Sequence, residues 1–174
     1  MKLADDDYTL FDLPQRYALD RAELDARRRA LQTQVHPDRF AAEGASAQRV
    51  AMQWAVRVNE AWQRLKDPLA RGAYLCELRG EPIDAERNTA MPAAFLMQQM
   101  AWREGLDEAS DLAAVEALDS VVAQQQRAMF SQLAAALDDR QDTAAAAVQV
   151  RALMFVARFK QDLARRLDRL DASR

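Results

Sequence analysis

Val50, Trp54, Val58, Ala61, Trp62 and Leu65 recur at spacings of four, four, three, one and three. That is one apolar stripe on a helix, and the same period returns along most of the chain. Only four glycines and five prolines interrupt its 174 residues. Alanine, leucine, glutamine and arginine abound, while β-branched residues are sparse, so few segments favour a strand. An all-α fold follows. With 50% hydrophobic residues, the chain has enough apolar surface for one large domain or two small ones.

Residues 8–13 form a short apolar patch stopped by Pro14. Asp20-Arg-Ala-Glu23 reads as an acid-capped helix start, and Leu24, Leu31 and Val35 carry that helix to Val35. Pro37 turns His36 away from helical dihedrals and ends it. A loop over 36–46 leads to the striped helix. Asp67-Pro68 closes that helix and opens another, which carries Tyr74, Leu75 and Leu78 and stops near Gly80. Residues 81–91 have weak periodicity and mixed charge and read as a linker. Three further helices are expected over 92–174. The first runs to about Glu104 and stops at Gly105. The second is capped by Asp111 and carries Leu112, Val115, Leu118, Val122, Met129, Phe130, Leu133 and Leu137. The third starts near Asp142 and carries Val148, Phe155, Val156, Phe159, Leu163, Leu167 and Leu170. The last two, joined by a short turn, should pack antiparallel.

The net charge of −3 makes no general case for nucleic-acid binding. The single cysteine, Cys76, excludes an internal disulfide and a cysteine-cluster metal site. The N-terminus has acids where the apolar core of a signal peptide would start. No apolar run approaches the roughly 20 residues that span a bilayer. A cytoplasmic protein without membrane partners is expected. Residues 1–79 carry 13 basic and 12 acidic side chains, and residues 80–174 carry 11 and 15. Two regions with different surfaces suggest two partners.

His36 is the only histidine. No Gly-rich phosphate loop, metal-ligand cluster or nucleophile elbow accompanies it, so no catalytic residue and no cofactor are expected. His36-Pro37-Asp38 taken alone fits a plain turn. It sits, however, between two striped helices and two turns after Arg27, Arg28 and Arg29. Arg28 and Arg29 should point mostly outward, either as a solvated face or as a docking surface.

In that frame the region over about 6–80 resembles a J-domain: a short apolar helix, a basic helix, His36-Pro37-Asp38-Arg39-Phe40, and a helix ending Asn59-Glu-Ala-Trp-Gln-Arg-Leu-Lys-Asp-Pro68. The resemblance implies a helical hairpin whose His-Pro-Asp loop docks on ATP-bound Hsp70 and triggers ATP hydrolysis. His36, Pro37 and Asp38 carry over directly, and Arg28, Arg29 and Arg39 by position, Arg39 standing where lysine is commoner. No Gly/Phe-rich segment or cysteine-rich module follows, unlike general DnaJ-type chaperones. Arg71-Gly-Ala-Tyr-Leu75, Gly80 and the segment Phe95-Leu-Met-Gln-Gln-Met-Ala-Trp-Arg-Glu-Gly-Leu-Asp-Glu108 look like the HscB family of co-chaperones. That implies a J-domain over 1–80, a linker over 81–91 and a C-terminal three-helix bundle over 92–174. In the family the bundle binds the iron–sulfur scaffold protein IscU and delivers it to the specialised Hsp70, HscA. The implied scaffold contacts are Leu96, Met97, Met100, Ala101, Glu104 and Phe155, with Ala101 standing where some relatives have an acid. The absent cysteine module of eukaryotic relatives favours a bacterial protein.

The helix near 93–104 supports this from its own geometry. At about 100° per residue, Phe95, Trp102 and Leu106 fall within roughly 40° and make a core stripe. Leu96, Met97, Met100 and Glu104 fall on the opposite side. A short helix lying on two others can hardly bury both faces, so an exposed Leu/Met patch suited to a partner is expected. Phe155 lies at the edge of the stripe led by Phe159, where core packing and contact both fit. The rival readings are a general J-protein, an enzyme using His36 as a base, and a helical scaffold whose His-Pro-Asp is only a turn.

Overall fold

The computed structural model describes residues 2–36, 38, 42, 44–84 and 91–172. They form α1 (Asp7–Leu10), α2 (Arg21–Val35), α3 (Ala45–Lys66), α4 (Pro68–Leu78), α5 (Ala93–Glu108), α6 (Leu112–Ala134) and α7 (Thr143–Asp171), with no strand among the described residues. The chain divides into two compact units, Met1–Leu75 and Cys76–Arg174, the boundary falling inside α4.

In the first unit, local chemistry sets each helix end. The Asp6 carboxylate accepts from the N–H groups of Tyr8 and Thr9 at 3.0 Å each, and that of Asp20 accepts from Ala22 and Glu23. These side chains satisfy orphan donors of α1 and α2. Asp67 does the same for α4, accepting from Ala70 N–H at 2.7 Å. His36, with ψ 126°, ends α2 in extended backbone, as the following proline demands. Helices α2 and α3 form an antiparallel hairpin, since Asp25 pairs with Trp62 and Arg28 with Asn59. Its core holds Leu24, Val35, Ala51, Val58, Ala61, Trp62 and Leu65, closed by Tyr8, Leu10 and Phe11.

One expectation about α3 fails. Val50 is exposed, and Ala51 takes the core position in that turn. Residues four apart rotate by about 40° on a helix, so two such steps back from Val58 carry Val50 off the buried face.

The second unit is built on α6 and α7. Asp119 meets Lys160, and Gln149 donates to the Met129 carbonyl, which makes the pair antiparallel. Val115, Val122, Met129, Leu133, Val150, Leu153, Val156 and Leu163 fill the interface between them. Asp111 and Asp142 cap their N-termini. The chain leaves α6 through one π-helical turn over Ala135–Asp139, which keeps Leu137 buried.

Helix α5 lies on this pair and differs from expectation in length. It runs through Gly105 to Glu108. A Cβ on Gly105 would stand 3.8 Å from the Leu118 side chain of α6, so this glycine sits where two helices approach and does not end α5. Gly80 does act as a stop. Its φ of +84° lets Gly80 N–H reach Glu77 O and Glu81 N–H reach Cys76 O at 3.0 Å each, the Schellman arrangement that only glycine adopts without strain. Ile83, within the segment expected to be a linker, is buried, and its carbonyl accepts from Arg151.

Candidate functional site

The first candidate surface lies at the end of α2. His36 and Asp38 are both exposed, Asp38 with 90% of its side chain accessible. His36 Nδ1 accepts from the Asp38 N–H at 3.3 Å and stands 3.5 Å from its carboxylate. The two residues form a small polar tip on local contacts. Pro37 and Arg39 lie outside the described residues.

The basic side chains before this tip divide. Arg29 is exposed, as expected. Arg28 is half-buried: its guanidinium carbon lies 3.7 Å from the centre of the Trp62 ring, and Nη2 donates to Asn59 Oδ1. The flat guanidinium finds an aromatic face and an amide across the hairpin and takes both. Arg21 and Lys66 also stand over Trp62, at 5.2 and 4.6 Å. The Trp62 N–H donates to Asp25 at 2.7 Å. Hydrogen bonds from Arg21 and then Trp62 hold the Asp25 carboxyl below its usual range.

A buried charge cluster anchors the same unit and was not singled out by the sequence reading. Asp7 is wholly buried and pairs with Arg57 at 2.7 Å and Arg64 at 2.8 Å. Its N–H donates to the Tyr74 hydroxyl, and Tyr8 stacks on Tyr74. The signal was present only as an acid just before an apolar patch. Nothing local tells Asp7 from its neighbours Asp5 and Asp6.

The second candidate surface lies on α5. Leu96, Met97 and Met100 are 46%, 71% and 62% exposed. Ala101 and Glu104 are exposed beside them. On the other side of the helix Trp102 is buried and stacks on Phe159, ring centres 5.8 Å apart. Phe95 and Leu106 are half-buried. Phe155 is half-buried too, with Arg158 over its ring at 6.0 Å. It belongs partly to the core and partly to the surface.

Among the described residues no group of three His, Cys, Asp or Glu could hold a metal ion. The Cys76 thiol is buried, and that burial pushes its pKa up to about 11, so almost none is thiolate near neutrality. No described helix is long and apolar enough to cross a membrane.

Comparison with known proteins finds relatives over nearly the whole chain. Residues 91–164 match the family model described as the HSCB C-terminal oligomerisation domain. A Burkholderia mallei protein, "Co-chaperone protein HscB homolog", is 50% identical over 98% of this chain and 99% of its own. The solved structure of chaperone HscB from Vibrio cholerae shares 37% identity, with a TM-score of 0.80 over 95% of this chain and 99% of that one. Human co-chaperone protein HscB shares 26% identity, with a TM-score of 0.88 over 94% and 83%. The fold is an all-α J-domain followed by a C-terminal three-helix bundle, as in these helical co-chaperones. The chain belongs to the HscB co-chaperone family.

Proposed function

We propose that the protein stimulates the ATPase of an HscA-type Hsp70 and delivers an IscU-type iron–sulfur scaffold protein to it during iron–sulfur protein maturation. It acts in the bacterial cytoplasm and carries no catalysis or cofactor of its own. Residues 1–80 are the J-domain, 81–91 the linker and 92–174 the scaffold-binding bundle. His36, Pro37, Asp38, Arg28, Arg29 and Arg39 dock on the Hsp70. Leu96, Met97, Met100, Ala101, Glu104 and Phe155 hold the scaffold.

The observation that carries the reading is the two-faced α5. Leu96, Met97 and Met100 stand in solvent while Trp102 packs on Phe159 from the other side. A folded helix gains nothing from exposed Leu and Met in the free protein, and such side chains suit a partner surface. Membership of the HscB co-chaperone family supports reading the partners as an HscA-type Hsp70 and an IscU-type scaffold. The test measures ATP turnover by purified HscA-type Hsp70 with this protein, with and without scaffold. Stimulation by the protein alone, raised further by scaffold, is expected. No stimulation in either arm rejects the proposal.

A further inference from the structure

One indole gathers cations from both helices of the α2–α3 hairpin. Arg28, Lys66 and Arg21 stand over the Trp62 ring at 3.7, 4.6 and 5.2 Å. The carboxylate beside them, Asp25, is already engaged. One of its oxygens accepts from the Trp62 N–H at 2.7 Å and the other from Arg21 at 2.8 Å. Among the described residues no acid pairs with Arg28 or Lys66. The Arg28 guanidinium lies nearest the ring. Its Nε is buried, and Nη2 donates to Asn59 Oδ1 at 3.2 Å. Nη1 is neither buried nor bonded among the described residues. A guanidinium held on two sides thus leaves one charged donor open to solvent.

We propose that Trp62 and Asn59 are positioning residues for Hsp70 docking: they fix the Arg28 guanidinium so that Nη1 is poised to donate to a carboxylate of the Hsp70. The proposal deepens the Hsp70-docking reading and rests on it. A carboxylate fits because Arg28 and Lys66 bring positive charge that no described acid pairs with, and its planar shape matches a guanidinium. An arginine free in solvent loses rotamer freedom when a partner fixes it. One already lying flat on an indole loses less. Arg29, next in sequence, is exposed and supplies charge at a distance, whereas Arg28 supplies one directed bond. The hydrogen bond from Trp62 to Asp25 sets the orientation of the ring, so both helices build the platform. Trp62 is itself buried and acts through Arg28.

The test follows association and dissociation of the full chain with purified HscA-type Hsp70 and ATP, beside a thermal melt. Arg28→Ala should weaken binding about tenfold, the scale of one lost charge-assisted hydrogen bond. Trp62→Leu and Asn59→Ala keep the charge, so association and its salt dependence should stay as in wild type. Dissociation should quicken about three- to fivefold, the scale of one exposed cation–π contact or neutral hydrogen bond. Arg28→Lys should share that split, because an ammonium lacks the flat fork. In an Arg28→Ala background neither Trp62→Leu nor Asn59→Ala should add a further loss. A merely structural role gives losses that add. Additive losses, or dissociation unchanged in both positioning variants, overturn the proposal and leave the docking reading standing. Arg28→Ala that binds as wild type overturns it as well. Where Trp62→Leu does not fold, Asn59→Ala, at an exposed position, decides. Wild type that does not bind the Hsp70 overturns both.

Discussion

The guanidinium of Arg28 lies 3.7 Å from the centre of the Trp62 ring and ties α2 to α3. Arg28 therefore contributes to the hairpin as well as to any docking face, whereas Arg29 is exposed. Arg28→Ala should destabilise the protein by about 1 kcal/mol, the scale of a partly desolvated cation–π contact. Arg29→Ala should stay within about 0.5 kcal/mol of wild type. Chemical denaturation distinguishes them. Arg29→Ala should still slow association with the Hsp70 and blunt its salt dependence, so it is the cleaner probe of docking. An association rate that is flat in salt would count against the basic helix.

Asp38→Ala tests the polar tip. The side chain is 90% exposed and, among the described residues, meets its neighbour His36, so the unfolding midpoint should match wild type. Stimulation of the Hsp70 should be lost. Normal stimulation by the folded variant would remove the J-domain docking role.

The two faces of α5 should respond in opposite ways. Replacing Leu96, Met97 and Met100 together by alanine should cost far less than the roughly 2–5 kcal/mol of a single buried Leu or Met truncation. Scaffold binding should fall at least tenfold. Trp102→Ala removes the stack on Phe159 and should cost about 3–5 kcal/mol, destabilising the bundle first. A thermal melt beside a scaffold titration reads both. A triple variant that melts far below wild type would make those side chains core.

Asp25 gives a pH prediction. Arg21 and Trp62 hydrogen-bond its carboxylate and depress its folded-state pKa below the ordinary aspartate value. Its contribution is therefore fully present above the unfolded pKa and is lost as pH falls through the folded value. Asp25→Asn should flatten the acid limb of stability below about pH 4 and leave the slope near neutrality unchanged. Melting midpoints from pH 7 to pH 2 check this.

Asp7→Ala leaves Arg57 and Arg64 without their shared carboxylate. Breaking a buried pair costs about 3–5 kcal/mol, and the partial exposure of both arginines puts the expected loss at the low end, about 3 kcal/mol. The loss should fall on the first unit. Hydrogen exchange should speed up in α1 and α3, while amides of α6 and α7 keep their protection.

The helices, their caps and the two faces of α5 were legible in the sequence because they are local. Helical period, Asp caps at 20, 67, 111 and 142, and the 100° rotation between residues need only the chain's own neighbours. The extended backbone of His36 that ends α2 was legible for the same reason: proline acts on the residue before it. Tertiary structure decided what depends on residues far apart in sequence. Gly105 read as a stop because its neighbour Leu118 sits on another helix. Arg28 read as outward because Trp62, whose ring face holds it, comes 34 positions later. Asp7 read as one acid among three until Arg57 and Arg64 converged on it. The cleft beside Phe155 exists only where α5 lies against α7. Local hydrogen bonding and periodicity are properties of a segment, whereas burial, ion pairing and cavities belong to the packed molecule.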